Sequence, residues 1–284
     1  MSIDVVAAQE TTAAPGKAVP AAASPRRDAW RRHANTFYLL ATMAVLLVAW
    51  EAACRLLNVG SYLLPRPSEI AAVMAADPMF LLRNCAVTTA ATVTGFALAV
   101  LLGVLLAVLI VYSPLLEKTL FTSLVAFNAI PKIAIAPLFI MWIGTDIESK
   151  ILMAFLIAIF PIIVDTVAGL RAVDPAQLDL ARTCRATQLE VFWKVRFPNA
   201  LPSIFAGMKV GVTLALIGTI VGEFVGANKG LGFVVLQAQG TYQTPLVFAA
   251  VVVLSVLGVI LFNIIDFAER KLLPWHVSHR AEAR

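Results

Sequence analysis

The sequence predicts an all-α protein that crosses a membrane several times. Three observations carry that expectation. Hydrophobic residues fill 60% of the 284 positions and charged residues only 14%, against roughly 45–50% and about 25% in soluble domains. The apolar residues fall in long runs, each near the roughly 20 residues that a bilayer core needs. Those runs do not alternate with polar residues, which argues against a membrane β-barrel. A water-soluble enzyme is excluded on this composition. The net charge of +5 reads as span orientation, not as a nucleic-acid footprint.

Residues 1–35 are rich in Ala, Pro, Thr and Ser and read as a disordered arm. The arm ends in the basic cluster Arg26, Arg27, Arg31 and Arg32. An apolar run then extends from Phe37 to Trp50 and continues past Glu51 to about Leu57. Basic residues before an apolar run also fit a signal peptide. The length of the run, and the acidic Glu51 close before Cys54, favour an uncleaved anchor. Five further spans follow, near 87–112, 119–143, 149–171, 203–226 and 245–269, with prolines in the gaps. A short polar tail, 273–284, closes the chain, so the membrane domain covers 36–272.

Six spans place both termini on one side. With the amino terminus inside, the cytoplasmic segments hold 16 of the 22 Lys and Arg residues, and the outer loops hold Arg66, Arg83, Lys150 and Lys229. This bias predicts cytoplasmic termini. Trp30, Trp50, Trp142, Trp193 and Trp275 all fall near span ends, as interfacial anchors do.

The loop at 172–202 is the longest polar segment between spans. Asp174-Pro175-Ala176-Gln177 reads as a helix start, with an acidic N-cap and proline at the first helical position. Thr187-Gln188-Leu189-Glu190 reads as a capping box, and Pro198 and Pro202 are expected to stop the helix it opens. Two short helices joined near Arg185–Thr187 would present a defined shape to a partner, or would only connect two spans.

Ionisable residues inside spans are functional candidates. Lys132 lies near the middle of the third span and Asp165 in the inner half of the fourth, and a pair between them would offset the desolvation of each. Glu51 and Glu223 sit near outer edges. Asp266, Glu269, Arg270 and Lys271 mark the inner end of the last span and are expected to be solvated. Gly218, Gly222 and Gly226 repeat every four residues, a spacing that brings helices close, either for packing within the chain or along a pathway. Gly226, Gly230 and Gly232 interrupt the helix near the outer surface. Cys54 and Cys85 share the outer side and can be paired or free. The cysteines lack metal-ligand spacing, and His33, His276 and His279 lie in tails, so no metal or catalytic centre is expected. No G-x-x-x-x-G-K-[ST] phosphate loop is present.

Several segments carry a resemblance. Asp179-Leu180-Ala181, Arg185 and Val195-Arg196-Phe197-Pro198 resemble the EAA loop of bacterial ABC-importer permeases, with Asp179 for the usual Glu and Arg185 at the family's Gly. Leu64-Pro65-Arg66-Pro67-Ser68, then Pro131 to Leu138 with Trp142 and Gly144, then Glu223-Phe224-Val225-Gly226 with Gly230-Leu231-Gly232, resemble the nitrate/sulfonate/taurine-type subfamily. The likeness covers roughly 36–272. It implies the type I permease fold, a second permease copy or homologue, two ATPase subunits that bind the ATP and magnesium inside, and a substrate-binding protein outside. No cofactor is expected on this chain itself. Localisation would be the bacterial inner membrane, and the solute small and anionic.

The resemblance further implies that Asp179, Leu180, Ala181, Arg182, Arg185, Ala186 and Pro198 couple to the ATPase. It makes Glu223, Gly226, Gly230, Leu231 and Gly232, within an outer loop at 223–244, a gate or docking loop. A competing class is a secondary transporter driven by an ion gradient, which needs a midplane ion site and often inverted repeats. No convincing repeat is seen. A membrane-embedded enzyme and a pure scaffold subunit are two further competing classes.

Overall fold

A computed structural model describes residues 25–274 of the chain. Among the described residues every regular element is helical. The chain forms two compact units, residues 1–52 and 53–284. The first is represented by α1, Pro25–Leu56, which runs across the boundary. The sequence 25–35, expected to belong to a disordered arm, is therefore helical. Pro25 is pre-organised for a first helical position, and the Arg and Ala residues that follow are good helix formers. The rest of the arm and the residues after Pro274 lie outside the described residues.

In the second unit, α2 is Pro67–Ala76 and α3 is Pro78–Tyr112. The third predicted span is not one helix. It is built from α4 (Pro114–Leu116), a π-turn (Glu117–Phe121), α5 (Thr122–Asn128), a 3₁₀ turn (Lys132–Ile135) and α6 (Ala136–Ile143). The break falls before Pro131, which supplies no amide and biases the residue before it away from helical geometry. Then come α7 (Ile147–Arg171), α8 (Pro175–Thr183), α9 (Gln188–Val191), a second π-turn (Phe192–Arg196) and α10 (Phe197–Gly226). The unit ends with α11 (Leu231–Gly240) and α12 (Thr244–Leu272).

Among the described residues, four helices are long and apolar enough to cross a bilayer: Pro78–Tyr112, Ile147–Arg171, Gln188–Gly226 and Thr244–Leu272. Gln188–Gly226 corrects the sequence reading, because Pro198 and Pro202 do not stop the helix. The π-turn widens the backbone just before Pro198, with the Phe197 amide reaching back to the Phe192 carbonyl. Proline lacks the amide that would bond back to the preceding turn and crowds that turn, and a wider π-turn lets the helix pass through such a residue.

α7 forms the centre of the unit, packed along α3 and α10. Met153, Ala154, Ala158, Ile162 and Ile163 are buried there. Small residues set the spacing. A Cβ at Gly95 of α3 would stand 2.6 Å from Ala154 Cβ, and one at Gly218 of α10 would stand 2.6 Å from the Met153 carbonyl. Gly222 meets Lys150 Cα in the same way, at 3.1 Å. The glycine stripe of α10 is thus a packing seam inside this chain. The outward faces of α3 and α12 stay apolar, with Leu101, Leu105, Val256 and Val259 exposed.

Candidate functional site

Two clusters stand out at opposite ends of α10. The first is the hairpin of α8 and α9. Asp174 Oδ1 accepts the Ala176 amide at 2.9 Å and opens α8. α8 ends in a Schellman turn: the Ala186 amide bonds the Ala181 carbonyl at 3.0 Å, and the Arg185 amide bonds the Arg182 carbonyl at 2.9 Å. The turn needs a left-handed residue, and Arg185 supplies it with φ of 53°. Arginine at the glycine position therefore leaves the turn type intact, against a backbone preference for glycine there.

Thr187 and Glu190 form the expected capping box, with the Thr187 amide donating to Glu190 Oε2 at 2.9 Å and the Glu190 amide to Thr187 Oγ1 at 3.3 Å. Glu190 precedes the apolar part of its helix. The Thr187 amide, the Lys194 ammonium and the Thr187 hydroxyl hold its carboxyl down at about 2. The box is ionised at neutral pH.

The hairpin encloses an open cavity of about 630 Å³ whose walls include Leu180, Ala181, Cys184, Ala186, Val191 and Pro198. Asp179 and Arg182 pair on the exposed face of α8 at 3.1 Å, flanking exposed Leu180. Arg196 fastens the hairpin to the bundle, donating to the Leu170 carbonyl at 3.2 Å with its guanidinium 5.9 Å from the Tyr112 ring. Of the loop residues singled out in the sequence, Leu180, Ala181, Ala186 and Pro198 share the cavity, whereas Arg185 stands at the exposed tip.

The second cluster surrounds the turn between α10 and α11. Glu223 is 1% exposed. Its Oε1 accepts from Thr88 Oγ1 at 2.8 Å and its Oε2 from the Gly232 amide at 2.7 Å. Thr88 in turn accepts the Leu231 amide at 2.9 Å, and Asn84 Oδ1 accepts the Gly230 amide at 2.9 Å. One helical turn deeper, the Thr92 and Thr219 hydroxyls meet at 2.9 Å. Lys150, 4% exposed, donates to the Lys229 carbonyl at 3.1 Å. Gly230 has φ of 117°, and a Cβ there would collide with the Glu223 carboxylate. Three consecutive backbone amides of the glycine turn are thus captured by side chains from α3 and α10. The turn is a latch closed on one buried carboxyl group, whose polar atoms could not be left without partners in the interior.

Glu223, Gly230, Leu231 and Gly232 therefore come together as the sequence suggests. Gly226 lies apart from the latch, against Ile140 and Thr145. Asn84, Thr88, Thr92, Thr219 and Lys150 were missed. Asn84, Thr88 and Thr92 fall at i, i+4 and i+8 on one face of α3, but Arg83, Thr89 and Thr94 lie among them, so the spacing alone did not mark them.

Lys132 and Asp165 do not pair. The Lys132 ammonium donates to Asn128 Oδ1 at 2.5 Å and lies 5.8 Å from the Phe160 ring centroid. Asp165 packs toward α10, where a Cβ at Gly207 would stand 3.0 Å from the Asp165 Cβ. The break before Pro131 leaves Lys132 on a turn instead of on a regular helical face. Of the charges at the end of α12 expected to be solvated, Arg270 and Lys271 are exposed, whereas for Asp266 and Glu269 the expectation is corrected. Lys209 of α10 bridges Asp266 at 2.5 Å and Glu269 at 2.6 Å, and Arg270 holds Asp266 at 2.8 Å. Lys209 reaches them because its helix continues unbroken from Gln188. Cys54 and Cys85 are free thiols.

Residues 99–274 match the family described as "Binding-protein-dependent transport system inner membrane component". The chain is 36% identical to the formylaminopyrimidine transport permease protein ThiX of Halalkalibacterium halodurans, over 81% of this chain and 92% of that one. It is 34% identical to the riboflavin transport system permease protein RibX of Chloroflexus aurantiacus, over 84% and 89%. It is 28% identical to the taurine transport system permease protein TauC of Escherichia coli, over 88% and 94%. Among solved structures, an inward-facing MetNI methionine ABC transporter matches with a TM-score of 0.59 at 23% identity, covering 72% of this chain and 98% of that one.

Proposed function

The chain belongs to the family of binding-protein-dependent transport system inner membrane components, and from that premise we propose how its two clusters work together. It is the multi-pass membrane permease of an ABC importer. The observation that carries the proposal is the single helix Gln188–Gly226, 39 residues long. It joins the hairpin at one end to Glu223 at the other. At about 1.5 Å per residue it spans roughly 58 Å, enough to connect the two faces of a bilayer.

The hairpin faces the cytoplasm, and so do both termini, in keeping with the cationic bias of that side. α8 seats in a partner ATPase through Leu180, flanked by Asp179 and Arg182. Two such ATPases bind ATP and magnesium, and this chain binds neither. When they close, the helix moves as a rigid lever, because Arg196 and the continuous π-turn leave no slack between hairpin and span. At the other end the lever carries Glu223, so its displacement strains or releases the glycine turn that lies beneath an external substrate-binding protein. A second permease, identical or homologous, completes the path through the lipid bilayer. The solute is a small organic anion. Taurine and formylaminopyrimidine, the solutes named for two relatives, are both small polar organic molecules.

Ala181→Pro tests the coupling. It removes an amide from the middle of α8 and should abolish uptake and ATPase copurification while membrane abundance stays normal. Uptake at the wild-type rate in that variant rejects the lever. Uptake that persists without ATP and collapses with the ion gradient would support a secondary transporter instead.

A further inference from the structure

We propose that Arg185, at the tip of the hairpin of α8 and α9, reads the charge of the partner ATPase: it pairs with an Asp or Glu at the edge of the ATPase surface that receives α8. The proposal deepens the importer reading and rests on it.

The first observation is where the charges of the hairpin go. Every other charged side chain from Asp174 to Arg196 has a partner within the chain. Asp174 caps α8 through the Ala176 amide. Asp179 pairs with Arg182 at 3.1 Å, and Glu190 with Lys194 at 3.2 Å. Arg196 donates to the Leu170 carbonyl. Arg185 is exposed, and its guanidinium makes no hydrogen bond, ion pair or ring contact among the described residues. The paired charges largely cancel, so the hairpin offers a partner one uncompensated cation, at its tip.

The second observation is the backbone beneath that cation. Arg185 sits at φ of 53° in the turn that ends α8. Glycine occupies such a position at least cost, and a long side chain there is disfavoured. The guanidinium contributes no contact to the turn, so nothing inside the hairpin offsets that cost. A residue held in a disfavoured conformation without local return points to a role outside the chain.

The third observation is what surrounds the tip. Leu180 of α8 and Leu189 of α9 are exposed apolar side chains. Apolar contacts ringed by charge are the common anatomy of a protein interface, and a rim charge governs association rate and choice of partner more than raw affinity. The guanidinium fork matches a carboxylate with two parallel hydrogen bonds. An ATPase with a cation at the same edge would be rejected by like-charge repulsion. An anionic membrane is the other source of negative charge. It is an extended surface, and the exposed carboxylates of Asp179 and Glu190 on the same hairpin would also come to lie against it. A single carboxylate on a protein meets the tip alone.

Binding of the ATPase that copurifies with the wild-type permease is measured in nanodiscs for wild type, Arg185→Gly, Arg185→Ala and Arg185→Glu. Glycine relieves the backbone and alanine does not, but both remove the charge. We expect both to weaken ATPase binding by about three- to tenfold at low salt, chiefly through slower association, and Arg185→Glu to weaken it further. The differences should shrink at about 1 M salt, where the screening length falls to about 3 Å. A Lys substitution at one Asp or Glu of the ATPase should restore binding to Arg185→Glu and so identify the partner carboxylate. Wild-type affinity in Arg185→Gly overturns the contact, as does failure of every such Lys substitution. Weakening by Ala alone assigns the effect to the backbone and also overturns it. An effect of Arg185 that appears only when the nanodisc contains phosphatidylglycerol overturns it in favour of lipid. These failures leave the importer reading standing, whereas a wild-type permease that binds no ATPase strikes that reading and the contact with it.

Discussion

Glu223 of α10 and Thr88 of α3 lie 135 positions apart in the chain and share a 2.8 Å hydrogen bond inside the bundle. The same threonine oxygen accepts the Leu231 amide, and the same carboxylate accepts the Gly232 amide. Two helices and a turn therefore depend on one pair of side chains. Thr88→Val removes the shared hydroxyl while keeping the shape, and should cost about 1–3 kcal/mol through the groups it leaves unpaired. Glu223→Ala should cost about 3 kcal/mol. In a double-mutant cycle on thermal unfolding of the purified protein, the two should be coupled by more than about 0.5 kcal/mol. Simple additivity would show that the latch is not a unit.

The Arg185 turn gives a prediction of opposite sign. A non-glycine residue at positive φ costs roughly 1–2 kcal/mol, partly offset because glycine loses more backbone freedom on folding. Arg185→Gly should therefore stabilise the hairpin by about 0.5–1 kcal/mol, read as slower amide exchange at Cys184, Ala186 and the last turn of α8. Arg185→Ala keeps the strained backbone without the charge and should not slow exchange. If both substitutions slow it equally, the guanidinium and not the backbone sets the local stability.

Which parts of this arrangement are legible in the sequence follows from the range of the interactions. The start of α8 and the capping box at Thr187 are local, made by residues two or three positions apart, and their signatures were legible. So was Glu223, because it opens the Glu-Phe-Val-Gly stretch before the glycine turn, although a carboxylate near a span end can also simply reach water. Its partners were not. Thr88 and Asn84 sit in an apolar run, where such residues can bond back to their own helix, as the Asn84 amide group does here, so nothing local distinguishes a latch from a self-satisfied side chain. Lys150 was counted as a loop cation because a span end and a buried first turn have the same sequence. Pro198 misled for a related reason. Proline reports a missing amide, but whether the helix stops or passes through a π-turn depends on the packing around Phe192 and Arg196.

The charge cluster between α10 and α12 supplies the last prediction. Lys209 is held by two carboxylates, Asp266 and Glu269, while Arg270 also binds Asp266. Lys209→Met keeps the length of the side chain and its packing near Phe262, but it removes the cation that bridges the two carboxylates and leaves them facing each other. Breaking a fully buried pair costs about 3–5 kcal/mol. These side chains keep 21%, 20% and 9% of their exposure, so solvent screening reduces the effect to about 1–2 kcal/mol. Adding Glu269→Gln to Lys209→Met relieves the repulsion and should recover part of the loss, whereas Glu269→Gln alone should be mildly destabilising. The check is the thermal midpoint of all three variants at low and high salt. The Lys209→Met deficit should shrink as salt rises, because screening weakens the carboxylate repulsion. A deficit that is independent of salt and not relieved by the second substitution would mean that Lys209 acts through the packing of its stem, and that the ion cluster does not hold α10 to α12.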